Sequence, residues 1–399
     1  MNNRCKFVRN AISVAHSSRF LIGLALALLL GSAAHAQSGG LRYHVTDLQS
    51  SSRSKVAPNL SVAYAINEAG QITGDLVYGN NQYCFIYTPG RWPETTFTST
   101  AASSVWCDAR AINSAGWVTG SIYMPNAGLV SAFLRSPSSG EIWNYPSTGA
   151  DWPDGIPYNS FGWGIDDSLN VVGEMDSFFP NNPGPIGQAA YSWNSAGTPI
   201  PLTPPPYPYY NQELATSGSG AYVAVHNSDP YQDAPPALAP QFLSLNAYCG
   251  YWGGDVFADA VPYAANNQGH AAGYSYCSYT DSYNHATFWG SQGVVDLAFP
   301  PSTAYAISSD DWVVGHSGAW SGGAGDAFLR VSDPHCPTMV NLNLLLDTAS
   351  TGWKVVQAYG INTAHQIVGQ AADSTGKLHA VLLTPDNNLR LCSKTVTKF

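Results

Sequence analysis

Charge is scarce in this 399-residue chain: Asp, Glu, Lys and Arg together make up 11% of it. Methionine is rarer still, with 4 residues. No C-x-x-C and no H-x-x-x-H occurs, so the usual zinc spacings are absent. No glycine-rich phosphate loop leads into a helical pattern. Sustained 3.6-residue periodicity is missing, which excludes a helical bundle. Beyond the N-terminal region there is no apolar run long enough for a membrane helix. What abounds instead is Gly (38), Pro (27), Tyr (23) and Trp (12), the composition of short strands joined by turns.

The first 36 residues read as a secretory signal. Arg4, Lys6, Arg9 and Arg19 form a basic front, Phe20–Leu30 is apolar, and Ala34-His35-Ala36 is a small-x-small cleavage pattern. Cleavage before Gln37 removes four basic residues and no acid, leaving 12 Lys and Arg against 26 Asp and Glu, a net of −14. A surface this acidic repels phosphate backbones, so nucleic acid is excluded as the expected partner. The expected product is a secreted monomer without a membrane span. Six cysteines remain: Cys84, Cys107, Cys249, Cys277, Cys336 and Cys392. An even count after export favours disulfides, and pairing of sequence neighbours (84–107, 249–277, 336–392) is the simplest of 15 connectivities.

Self-similarity dominates the rest. AYAINEAGQITG ends at Gly74, ARAINSAGWVTG at Gly120, GWGIDDSLNVVG at Gly173, PYAANNQGHAAG at Gly273, AYAISSDDWVVG at Gly315 and AYGINTAHQIVG at Gly369. ELATSGSGAYVA, ending at Ala224, fits the template weakly and fills a doubled interval, for a count of seven. Downstream of each anchor comes a small-then-large pair such as Cys84-Phe85, Ala132-Phe133 or Ala327-Phe328, then a short apolar stretch. These segments resemble the bacterial extracellular HAF repeat, named for its His-Ala-Phe signature. His285-Ala286 and His379-Ala380 echo that signature, with Thr287 and Val381 in place of Phe. The resemblance spans about Tyr43 to Leu391 and implies a propeller-like architecture, with no chemistry attached.

Each unit reads as four short strands. Asn, Asp or Ser heads the turn between the first two, and Gly closes it in four copies, a hairpin signal. Seven units of about 50 residues point to radial closure, so the expected fold is an all-β, seven-bladed β-propeller of four-stranded antiparallel blades spanning residues 37–399. Val45–Leu48 looks like a fourth strand with no blade before it and should pair with the last blade; Leu389–Leu391 competes for that slot.

One position in the first strand is always small, and the residue before it is large: Tyr64, Arg110, Trp163, Leu214, Tyr263, Tyr305 and Tyr359. These side chains either pack between blades or, Arg110 and Trp163 above all, point into a central channel. The turn between strands one and two has constant length. The other two connections vary and open on the opposite face, where sites tend to lie. Candidate ligand contacts there and in the channel are Trp106, Asp108, Arg110, Trp152, Asp154, Trp163, Tyr251, Trp252, Asp255, Trp320 and Asp326. Aromatic rings beside carboxylates suit a glycan or a protein ligand. No cofactor or metal is implied. Gly315-His316-Ser317-Gly318 imitates a nucleophile elbow but is followed by a glycine-rich stretch rather than a helix former. The expected role is a non-catalytic extracellular binding scaffold. The competing role is a carbohydrate-active hydrolase or lyase using acids and aromatics on the variable-loop face.

Overall fold

A computed structural model describes residues 40–49, 58–97, 106–145, 159–178, 185–202, 214–216, 222–225, 241–243, 258–277, 283–291, 293–297, 300–318, 325–332 and 339–386. All its strands belong to one compact unit, Leu41–Phe399. It is an all-β propeller built from six four-stranded antiparallel blades. Their inner strands are Leu60–Ile66 (blade I), Cys107–Ile112 (II), Ser160–Ile165 (III), Ala258–Ala265 (IV), Ser302–Ile307 (V) and Lys354–Ile361 (VI). In blades I to V, three further strands follow in sequence order outward. Blade VI takes its outermost strand from the start of the chain: Tyr43–Asp47 pairs antiparallel with Leu378–Pro385, in register Tyr43↔Pro385 to Asp47↔Val381. Val45–Leu48 is therefore the closing segment, with the Leu48 N–H donating to the Ala380 carbonyl.

The expected seventh blade is absent. The fourth repeat forms a three-stranded sheet, Leu214–Thr216, Tyr222–Val225 and Gln241–Leu243, whose last pair is parallel. The reason lies in the anchor glycine. In each of the six blades the inner strand bulges opposite it, at Tyr64, Arg110, Trp163, Tyr263, Tyr305 and Tyr359. The bulge drives an inner-strand carbonyl so close that a Cβ on Gly74 would sit 2.0 Å from the Val62 oxygen, and one on Gly120 1.9 Å from that of Asp108. The weak repeat has Ala224 at this position, and there the two strands pair without a bulge. A parallel third strand needs a crossover rather than a hairpin, and in sequence residues 226–240, with Pro230, Pro235, Pro236 and Pro240 among them, separate the two strands.

The core lies between blades. Phe85, Phe133 and Phe328, the large residues of the third strands, are essentially inaccessible. Each is worth about 1.5–3 kcal/mol in area removed from water.

Two devices tie blade to blade. The first is the turn-head residue. Asn67 Oδ1 accepts from the N–H groups of Ala69 and Gln71, forming the turn, while its Nδ2 donates to the Asn113 carbonyl of the next blade at 2.9 Å. Asn113 does the same to Asp166, Asn266 to Ser308, and Asn362 to Asn67, where the last blade meets the first. The second device joins a third strand to the next inner strand. The Ala132 N–H donates to Ser160 Oγ, Ala286 to Ser302, and Ala380 to Ser61. At the corresponding place between blades I and II stands the disulfide Cys84–Cys107, with Cα atoms 5.3 Å apart. Cys249, Cys336 and Cys392, and the side chain of Cys277, lie outside the described residues.

Candidate functional site

The bulges decide where the large first-strand residues go. A strand normally alternates its side chains between faces, and an extra residue re-aims one of them. All six bulged residues meet in one arc. Tyr263 packs on Tyr305 (ring centroids 5.4 Å apart), Tyr305 on Tyr359 (4.8 Å) and Tyr359 on Tyr64 (5.2 Å). The Arg110 guanidinium lies 4.3 Å from the Tyr64 ring centre and 5.3 Å from that of Trp163. The arc thus runs through blades IV, V, VI, I, II and III, one residue from each. Side chains from six consecutive blades touch in this way only around a common axis, so the arc lines the central channel.

Arg110 is held by a buried acid pair. Its Nε donates to Asp108 Oδ2 at 2.7 Å. Asp75, on the second strand of blade I, lies beside Asp108; both are at most 5% exposed. Burial raises the Asp75 carboxyl well above the usual range, and the neighbouring Asp108 carboxylate pushes it further. Asp75 Oδ1 accepts from the Ala109 N–H at 3.1 Å and Oδ2 from Gln82 at 2.8 Å. Asp108 Oδ1 is otherwise without a donor, so a proton held on Asp75 completes the pair. Burial works against the Arg110 cation, but the charge and hydrogen bond of Asp108, together with Tyr64 and Asp75, more than offset it and the guanidinium stays charged. Burial also lifts the phenols of Tyr64 and Tyr359, which remain neutral. The channel wall therefore presents aromatic rings, one fixed cation and the indole of Trp163, whose Nε1 has no hydrogen-bond partner.

Among the residues expected to bind ligand, the structure brings Asp108, Arg110 and Trp163 together here. Trp106 stands half-buried at the head of the inner strand of blade II. Asp326 lies elsewhere, at the start of a third strand in blade V, pairing with Lys354 Nζ at 3.2 Å. Trp152, Asp154, Tyr251, Trp252, Asp255 and Trp320 fall outside the described residues. Asp75 went unnoticed in the sequence. Its signal was the polar residue directly after the anchor glycine, seen also as Ser121, Glu174, His316 and Gln370. His316 and Ser317 belong to an antiparallel strand and not to an elbow. Among the described residues no cluster of three or more His, Cys, Asp or Glu could hold a metal ion, and no helix is long and apolar enough to cross a membrane.

No protein-family model matches the chain, and neither does any curated protein. Solved structures do resemble it. The β-propeller domain of the Trilobed protease from Pyrococcus furiosus is 8% identical, with 85% of this chain and 100% of that one covered and a TM-score of 0.49. The oligogalacturonate lyase from Vibrio parahaemolyticus is 9% identical over 87% and 97%, with a TM-score of 0.44. TolB from Acinetobacter baumannii is 9% identical over 94% and 72%, with a TM-score of 0.34. At this level of similarity none of them bears on activity.

Proposed function

We propose that the protein is a secreted, non-catalytic binding module of the HAF-repeat type, and that its ligand is a glycan held in the central channel. The observation that carries this reading is the unbroken contact arc Tyr263–Tyr305–Tyr359–Tyr64–Arg110–Trp163. Rigid rings give apolar stacking area at low entropy cost, and their hydroxyls and a fixed guanidinium match the hydroxyl groups of a sugar. The export pattern of residues 1–36 and the acidic balance of the remainder fit an extracellular role.

One observation favours a second reading, a carbohydrate-active hydrolase or lyase. Asp75 and Asp108 form a carboxyl pair in which burial and the Asp108 charge favour the protonated form of Asp75, the form a general acid needs. Both are nearly inaccessible and Asp108 is engaged with Arg110, which suits positioning of the cation better than proton transfer to substrate. A glycan array and a broad glycosidase and lyase screen on the purified protein separate the two. Binding without turnover, weakened at least tenfold by Tyr359→Ala and by Arg110→Ala, is the expected result. Turnover that disappears in Asp75→Asn refutes the binding-module reading. Absence of any glycan binding refutes the ligand class.

A further inference from the structure

A second site stands apart from the channel, in the cleft between blades I and II. The cleft has a volume of about 460 Å³ and is lined by Gln71, Thr88, Arg91, Gly116, Arg135 and Ser138 among others. Among the described residues that line it there are two arginines and no acid. Arg135 is 7% exposed, and its Nε has no partner. Its guanidinium lies over the Phe97 ring at 4.6 Å, and Nη1 reaches the Ser136 carbonyl at 3.3 Å. Among the described residues no acid pairs with Arg135 or Arg91. An isolated cation this buried is costly, and burial lowers the Arg135 pKa.

The repeat itself shows what is missing. Arg135 pairs in register with Val118, and Arg330 of blade V pairs with Val313 in the same way. Arg330 likewise stacks over a ring of the preceding blade, Phe288, at 4.4 Å. Beside Arg330 the turn carries Asp311, whose charge supports the guanidinium and whose backbone oxygen accepts from Nη1, although Arg330 Nε, like that of Arg135, has no partner. The Asp311 carboxylate also accepts from Asn266 Nδ2 at 2.8 Å and from His270 Nδ1 at 2.8 Å. His270 Nε2 accepts from the Ser291 N–H, so Nδ1 carries the proton. The counterpart of Asp311 between blades I and II is Gly116, and the counterpart of His270 is Gln71. Gln71 Oε1 accepts from Asn67, which leaves its Nε2 to donate. The other four blades have Tyr87, Trp193, Trp289 and Leu383 where these two have arginine. So a basic side chain and an amide donor surround the place where, two repeats on from the weak one, a carboxylate is built in.

We propose that this cleft binds a small organic carboxylate, whose anionic group takes the place that Asp311 occupies between blades IV and V. Arg135 and Gln71 hold the carboxylate, and Arg91, exposed on the same wall, adds attraction for a second negative charge.

The test is calorimetric titration with succinate and galacturonate, with succinamide and sulfate as controls. Both carboxylates should bind saturably at millimolar concentration or below, and succinamide should not. Gly116→Asp supplies the carboxylate internally; Asp311 adopts the same left-handed backbone at φ 66°, and the nearest obstacle is the flexible tip of Gln71. It should fold and lose ligand binding at least tenfold, as should Arg135→Met. Arg330→Met, at the equivalent position whose acid is built in, should leave affinity unchanged. Failure of both carboxylates to bind, unchanged binding in Gly116→Asp, or tighter binding of sulfate than of either carboxylate overturns the assignment. The channel proposal is untouched by these outcomes, because Arg110 and Tyr359 take no part in them.

Discussion

Asn362 offers a sharp test of how the propeller is held shut. Its side chain is 1% exposed and makes three hydrogen bonds. Oδ1 accepts from the Gln366 N–H at 3.0 Å, and Nδ2 donates to Gln366 Oε1 at 2.9 Å and to the Asn67 carbonyl at 3.2 Å. The first two shape the turn; the third crosses from the last blade to the first. Asn362→Ala removes all three and leaves buried groups unpaired, a loss of about 3–4 kcal/mol. Asn362→Asp separates the two roles. Blade III shows that aspartate makes this turn unaided, since Asp166 accepts from the Asn170 N–H at 2.8 Å and from its side-chain amide at 2.7 Å. Aspartate has no donor for the Asn67 carbonyl, so the variant should lose only the crossing bond and orphan one carbonyl, about 2 kcal/mol. With an unfolding entropy of about 2.1 cal/mol/K per residue over the compact unit, each kcal/mol lowers Tm by roughly 1.3 °C. Differential scanning calorimetry should therefore give a fall of about 3 °C for Asn362→Asp and about 5 °C for Asn362→Ala. Asn113→Asp, which removes the same kind of bond between blades II and III, should match Asn362→Asp. A Tm for Asn362→Asp indistinguishable from that of the parent refutes the claim that these amides fasten the blades.

Asp75 gives a pH prediction. Its native pKa is raised, so the native state holds the proton more tightly than the unfolded chain does. The stability this adds is complete below the ordinary carboxylate value of about 4 and is lost as pH rises through the raised native value. Asp75→Asn mimics the protonated form, so its Tm should draw ahead of the parent as pH rises from about 4 to about 8. A constant difference across that range refutes the assignment. The disulfide gives another prediction. Closing a loop of 23 residues is worth about 3 kcal/mol, so Cys84→Ala with Cys107→Ala should lose about that much in urea denaturation. Cys84→Ala with Cys107→Ser rebuilds the Ala–Ser junction found between blades II and III and should recover about 1 kcal/mol of it. Equal midpoints for the two double variants would show that the serine bond contributes nothing there.

Much of the architecture is written in local pattern. The Asn-x-x-Gly turns, the small-then-large third strand and the orphan strand at Val45 all depend on near neighbours in sequence, and the structure forms each of them. What depends on the adjoining blade was not visible. Asn67 reads as a turn residue, and nothing in its own segment says that its amide reaches Asn113, 46 positions on. Tyr64 and its counterparts were recognisable as large, but their direction turns on a bulge that breaks strand alternation. The anchor glycine was the trace of that bulge, and Ala224 the reason the fourth repeat lacks one. Asp75 and Asp108 are ordinary residues apart and acquire their chemistry only where blade I meets blade II. The cleft beside Arg135 leaves no mark in its own segment, since the residue that sets it apart from the junction of blades IV and V is a glycine, Gly116.

The closing strand has a consequence for the order of events in time. Tyr43–Asp47 is made early, yet its partner Leu378–Pro385 comes near the end of synthesis. At about 5–20 residues per second the early strand waits roughly 20–70 s for it. During that wait its hydrogen-bonding edge is open to other strands. A chain cut short before residue 378 never finds this partner, however well its first five blades have formed.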